Sequence, residues 1–300
     1  MPFMKTLLPN DTLSRSVFYT KSLVITIMDV VYLWCGIPKN IKCPFTKDIF
    51  YSIKSVKKYI ENLRTIWIIV DDIVTIEQIK SLVVDVKDDK IRIVHYKDFM
   101  PKRYLPILWN SNVLESWIWK IKGLSEKFIY MNDDMYIGKK CTHDTFYYND
   151  MPIVRINRGS PNHSPTVRVE GNDHLAMWQN AVKEHNIHYT RLAHNCMPYK
   201  KSLLAKYYKL YKNQVEKASR NTVRSGKDDF NLLRFTGSLS VMHGDAILIA
   251  TDPINVDYFV EAVEIKAVKK ILKIKPQFFC INNTHMKQTW VYETLEEYFK

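Results

Sequence analysis

Two adjacent carboxylates interrupt an apolar run near the middle of this chain. Residues 123–138 read GLSEKFIYMNDDMYIG. The run Phe128 to Met131 stops at Asn132-Asp133-Asp134, resumes as Met135-Tyr136-Ile137 and ends at Gly138. A buried strand that ends in two carboxylates puts negative charge at the carboxyl edge of a sheet, where α/β folds bind their ligands. Oxygen donors of this kind suit Mg²⁺ or Mn²⁺, cations that usually also hold substrate phosphates. Asn and Asp are equally favoured in turns, so a plain turn after a strand is the competing reading. An imidazole, which titrates near pH 6.5 when unperturbed, could take a proton from a hydroxyl, and the planar fork of an arginine could hold two phosphate oxygens at once; residue type alone does not choose among the nine histidines.

The elements that must position these groups can be read from the apolar pattern. Leu23–Met28, Ile66–Val70, Ile91–Val94 and Phe128–Met131 are short, mainly apolar runs, as in parallel strands covered on both faces. Ile49, Ile53, Val56, Ile60 and Leu63 recur at helical spacing, as do Val113, Leu114, Trp117, Ile118 and Ile121. The alternation predicts βαβ units and an α/β, Rossmann-like, mostly parallel sheet. Three runs are followed by Asp: Asp29, Asp71-Asp72 and Asp133-Asp134. If the strands are parallel, these carboxylates gather along one edge. Residues 139–172 read as a long loop with short strands, and 173–218 as helical. Ser238–Met242 and Ile247–Ala250 read as strands, with helical or mixed structure after Pro276. No repeat or low-complexity linker divides the chain, so one domain over 1–300 is expected. It comprises a βαβ core over 24–140, a loop and helical part over 141–250, and a closing segment over 251–300.

Composition narrows the classes. The chain has 300 residues, 46% hydrophobic and 13% aromatic, enough for a sizeable core and unlike a disordered chain. No apolar run reaches the roughly 18 residues of a membrane helix. The N-terminus lacks the pattern of a signal peptide. Five cysteines without a CxxC pair argue against a disulfide framework and suit a reducing cytoplasm. The net charge is +13, and residues 200–227 hold nine Lys or Arg against the single acid Glu216. Such a face attracts anions: nucleic acid, anionic lipid or phosphorylated sugars. No nucleic-acid-binding word accompanies it, so no nucleic acid is expected. A cytoplasmic protein is expected, with peripheral contact to the inner face of a membrane as a further option.

Several words, in order along the chain, resemble the Stealth family of sugar-1-phosphate transferases, which includes bacterial capsule polymerases and the animal GlcNAc-1-phosphotransferase. Asp29-Val30-Val31-Tyr32-Leu33-Trp34 resembles its opening block. Tyr51-Ser52-Ile53-Lys54-Ser55, Ile91-Arg92-Ile93-Val94-His95 with Asp98, Asn110-Ser111-Asn112 with Glu115, and the NDD segment resemble its second block. His194 to Ser202 (HNCMPYKKS) and Val223-Arg224-Ser225 with Asp228-Asp229 resemble the third. Phe278 to Asn282 and Leu295 to Phe299 resemble the last. The resemblance implies a nucleotide-diphospho-sugar transferase-like fold and a nucleotide-sugar donor bound by Asp29, Asp71, Asn112, Asn132 and Asn282. It implies Mg²⁺ or Mn²⁺ on Asp133 and Asp134, with His194, Arg224 and Asp134 catalytic. A glycan hydroxyl would attack the β-phosphate and release a nucleoside monophosphate, building a capsular or other surface polysaccharide. An ordinary metal-dependent glycosyltransferase, releasing a diphosphate, is the first alternative. A non-enzymatic binder of nucleic acid or anionic surfaces is the second. The chain departs from the pattern at Cys35-Gly36, where the family has VDG, at Phe50, at Asn195-Cys196 and at Asn283.

Overall fold

The computed structural model describes residues 27–34, 47–70, 89–105, 110–157, 192–224, 228–261, 264–282 and 289–300, with isolated positions between 177 and 187. Asp71, Asp72, Cys35 and Asn283 lie outside the described residues. The main sheet has five strands: β1 (Met28–Leu33), β2 (Leu63–Val70), β3 (Ile91–His95), β4 (Lys127–Met131) and β8 (Met197–Lys200). Their order is β3-β2-β1-β4-β8. The first four are parallel, and β8 runs antiparallel to β4. This is the expected α/β, Rossmann-like sheet. Alternation buries Val31, Leu33, Trp67, Ile69, Phe128 and Tyr130 on one face. Val30, Tyr32, Ile66, Ile68, Ile129 and Met131 are buried on the other. Covering on both faces is why these strands read as unbroken apolar runs.

Helix α1 (Asp48–Tyr59) crosses from β1 to β2. It buries Ile49, Ser52, Ile53 and Val56 and leaves Lys57 and Lys58 in water. It ends before Leu63 because Asn62 turns the chain at φ 56°, a left-handed conformation that Asn tolerates. Helix α2 (Ser111–Glu115) is capped by Asn110, which accepts from Asn112 N at 3.1 Å. It gives way to a 3-10 turn over Ile118–Lys120.

The first strand lies five residues later than the sequence suggests. The run around Met28 has no turn residue to mark a boundary, and a buried carboxylate was the natural place to end it. Asp29 is instead inside β1, paired in register with Thr65 and Phe128 at the N-terminal ends of β2 and β4. Its charge is tolerated because Arg64 grips both oxygens, Nε at 2.7 Å from Oδ1, while Trp67 Nε1 (2.9 Å) and Ser125 N (2.8 Å) also donate to it. Asp29 therefore belongs to the edge opposite Asp134, and the expected donor-binding role does not fit it.

The second half adds two three-stranded sheets and five helices among the described residues. One sheet joins β6 (Tyr147–Tyr148), β7 (Met151–Asn157) and β9 (Ile247–Thr251). Asn149 and Asp150 form the β6–β7 turn at φ 45° and 68°, the primed geometry that suits a two-residue hairpin. The other sheet orders β10 (Asp257–Glu261), β11 (Phe278–Asn282) and β5 (Met135–Ile137). Helices α4 (Lys201–Leu210), α5 (Lys212–Ala218), α6 (Leu232–Met242), α7 (Ile265–Ile274) and α8 (Thr289–Phe299) follow the one-turn α3 (His143–Phe146). Ser238–Met242, expected as a strand, is helical. Leu232, Leu233, Phe235 and Leu239 are all buried at helical spacing, and Asn231 caps the start by accepting from Arg234 N. The expected helical stretch 173–218 is broken by β8, whose Pro198 is accommodated on the edge of the main sheet. No helix among the described residues is long and apolar enough to cross a membrane.

Candidate active site

Strand register brings the site together. β4 runs up to Met131, and β8 runs down beside it with Tyr130 opposite Met197 and Phe128 opposite Tyr199. Continuing both chains past that pair sets Asp134, four residues beyond Tyr130, near His194, three residues before Met197. The observed separation is 4.0 Å between His194 Nε2 and Asp134 Oδ2. Asn132 to Met135 form a tight turn closed by Met135 N donating to Asn132 O at 3.2 Å, so the turn and the site coincide. The turn hands the chain from the main sheet to β5. Ser52 Oγ on α1 donates to Met135 O at 2.5 Å, and Ser55 Oγ accepts from Ile137 N at 3.1 Å. Ile281 N donates to Asp134 O at 3.0 Å from the other side. Gly138 must be glycine, because a Cβ there would meet Pro276 O at 2.2 Å.

Cys280 on β11 completes a cluster with Asp134 and His194, whose donor atoms all lie within 4.8 Å of one another. Its thiol donates to Asp134 Oδ2 at 3.3 Å. The sequence reading missed it, because nothing local marks a cysteine inside an apolar strand 146 residues from its partner. A divalent cation fits this corner on one observation: Asp134 Oδ1 is buried with no hydrogen-bond partner among the described residues. Only the carboxylate of the three donors suits Mg²⁺ or Mn²⁺; imidazole and thiol belong to softer cations. Asp133, half-buried in the same turn, is not one of the three. Asn132 is half-buried at the start of the turn, and Asn282 lies two residues beyond Cys280, on the same face of β11.

The hydrogen bonds of Arg224 and Asn112 run to α2 and the start of α6 rather than to the Asp134–His194–Cys280 corner. The Arg224 guanidinium donates to Ser111 Oγ at the start of α2. Asn112 is fully buried; its amide donates to Asp229 Oδ2 at 2.9 Å and accepts from Asn231 at 3.1 Å. Asn231 also reaches Glu115 at 2.6 Å, and Tyr130 OH donates to Glu115 at 3.0 Å. A buried polar network of this kind is stabilising only when its members are satisfied. Both functional groups of Asn112 are satisfied inside it, so it ties α2 to α6 and does not face a donor. Lys200 pairs with Asp150, and Lys201 donates to the carbonyls of Ile121 and Leu124; both serve the fold.

Residues 45–154 match the family model for Stealth protein conserved region 2. Over 268 residues the chain is 30% identical to the capsular polysaccharide phosphotransferase fcs1 of Haemophilus influenzae, an alignment that covers 84% of this chain and 71% of that protein. The chain belongs to the Stealth family of phosphotransferases. It is also 28% identical over 191 residues to the capsular polysaccharide phosphotransferase cps1A of Actinobacillus pleuropneumoniae, with 60% of this chain and 50% of that protein aligned, so it spans about half of that relative. Among solved structures it is similar to mouse xyloside xylosyltransferase 1 in its apo form, with 11% identity and a TM-score of 0.45 over 88% of this chain and all of that one.

The Stealth words that precede the site thus have separable duties. Ser52 and Ser55 hold β5, Asn112 and Glu115 hold the α2–α6 seam, and Asp134 and His194 face each other. The His194 loop is fastened on both sides. Ala193 N donates to Arg155 O at 2.8 Å, and the Asn195 amide donates to Asp257 at the start of β10. Burial pushes the Asp257 carboxyl up to about 6, against the opposing effects of the Thr251 hydroxyl and the Arg155 charge. The folded chain then holds this proton more tightly than the unfolded one. Its stabilising contribution is complete below about pH 4 and is lost as pH rises through about 6. Melting curves between pH 4 and 7 should show the wild type losing up to about 3 kcal/mol relative to Asp257→Asn over that window. Parallel curves for the two proteins would show that Asp257 is charged throughout.

Proposed function

We propose that this Stealth protein transfers a sugar-1-phosphate from a nucleotide sugar, such as UDP-GlcNAc, to a hydroxyl of a capsular polysaccharide. The observation that carries the reading is the 4.0 Å approach of His194 Nε2 to the buried carboxylate of Asp134 at the carboxyl edge of the parallel strands. His194 takes the proton of the acceptor hydroxyl as its oxygen bonds to the β-phosphorus. The bond from that phosphorus to the nucleoside monophosphate breaks. The Asp134 carboxylate stabilises the imidazolium that forms, as a carboxylate does beside a catalytic histidine. Mg²⁺ or Mn²⁺, held through Asp134 with Asp133 and Asn282 nearby, would neutralise the diphosphate. The capsular acceptor is inferred from the names of the relatives. Incubating the chain with a panel of nucleotide sugars, Mn²⁺ and capsular oligosaccharide tests the reading. Release of nucleoside monophosphate supports it, and release of diphosphate makes the protein an ordinary glycosyltransferase.

Arg224 is the proposed phosphate clamp, exchanging Ser111 for donor oxygens. Arg224→Lys keeps the charge but loses the bidentate fork, so the donor KM should rise about tenfold, the effect of losing one charge-assisted hydrogen bond. Steady-state kinetics in donor concentration measures this. An unchanged donor KM removes Arg224 from the donor site.

A further inference from the structure

We propose that Phe259 is the platform on which the acceptor sugar ring lies; the inference rests on reading His194 as the base. Side chains alternate along a strand, and β10 uses its two faces differently. Val260 points into the cluster it shares with Ile271 and Phe279, and Tyr258 packs against the same cluster. Asp257 and Phe259 point the other way, toward the His194 loop. Asp257 receives the Asn195 amide. Two residues on, the Phe259 ring stands 5.6 Å from the His194 ring, at 89° to it. In register, Phe259 lies beside Cys280 of β11, whose thiol reaches Asp134. One face of the small sheet therefore runs from an aromatic ring, past a thiol, to the site's carboxylate.

Phe259 is 42% exposed. A single exposed aromatic is ordinary on a protein surface, but this one abuts the group that must meet the acceptor hydroxyl. Any sugar whose hydroxyl reaches His194 brings its ring against Phe259. A pyranose has an apolar face of C–H groups and a polar rim. The phenyl face is electron-rich, so it favours those C–H groups and disfavours the phosphates of the donor. Ligand sites commonly combine an aromatic wall with a few polar groups that fix orientation. Here the wall is Phe259 and the orienting group is His194. The ligand class is a neutral pyranose, not the nucleotide.

Saturation-transfer NMR on the full chain tests this without turnover. The probes are the methyl β-glycosides of glucose, galactose and N-acetylglucosamine at millimolar concentration. Saturation is expected to reach the ring C–H protons of at least one probe. It should persist in Phe259→Trp and fall to background in Phe259→Leu, which keeps an apolar side chain but removes the ring face. Melting curves confirm that Phe259→Leu is folded. Equal transfer in wild type and Phe259→Leu would overturn the proposal, as would no transfer from any probe or a signal erased by UDP. The nucleotide-release assay is independent: if it fails while the sugar signal follows Phe259, the reaction assigned to the site is wrong and the sugar platform stands.

Discussion

His194→Ala should lower kcat by about two to four orders of magnitude, the usual contribution of a positioned general base. The substitution is clean because the His194 side chain is 41% exposed. The backbone around it is held by Ala193 N and the neighbouring Asn195 side chain. Stability should fall by about 1 kcal/mol, because Ala removes one of the few polar neighbours of the buried Asp134 carboxylate. The effect should fall on kcat, because the proton is transferred only as the acceptor attacks; donor binding should persist. Calorimetric titration of the donor, alongside kcat and melting, separates these cases. A variant that binds donor normally and turns over at the wild-type rate would remove His194 from the chemistry. A variant that fails to bind donor would make it a donor ligand instead.

The sequence was informative where one element carries its own signal. Strands β2 and β4 were legible because burial on both faces leaves each with an apolar run, and β3, half-exposed at the sheet edge, was legible from Ile91, Ile93 and Val94. The turn at Asn132-Asp133-Asp134 was legible because polar residues interrupt such a run. Strand β1 was misplaced because Asp29, an acid that normally marks an edge, is neutralised within the sheet by Arg64, Trp67 and Ser125. Those partners come from two distant places in the chain, β2 and the residue Ser125 before β4, and no local pattern announces them. The same limit hid Cys280, Phe259 and Asp257. Each reaches the site through the register of β10, β11 and β5, which the sequence does not display. The resemblance to the Stealth words brought His194 forward, but it also drew in Asn112, whose hydrogen bonds tie α2 to the start of α6. Matching words identify residues that the fold needs as readily as residues that touch a substrate. Only the partners of each side chain tell them apart.

Asp134→Asn should separate function from stability in opposite directions. Asp134 differs from Asp29 in its partners: among the described residues Oδ1 has none, and Oδ2 has a weak thiol donor and an imidazole at 4.0 Å. A buried carboxylate left this poorly compensated is costly to the fold. Replacing it with the neutral, isosteric amide removes that cost, so the melting temperature should hold steady or rise. Activity should fall about tenfold or more, because the amide supplies no charge to a cation that neutralises the diphosphate. Loss of function with retained or increased stability is the signature expected of a strained catalytic group. Wild-type turnover should also cease in EDTA and return with Mg²⁺ or Mn²⁺. Calorimetric Mn²⁺ titration adds a readout that needs no substrate: binding seen in the wild type should weaken in Asp134→Asn. If the variant melts lower and keeps its activity, Asp134 is a structural acid like Asp29. If turnover survives EDTA, the orphaned oxygen serves the acceptor or His194 instead, and no cation belongs in the reaction.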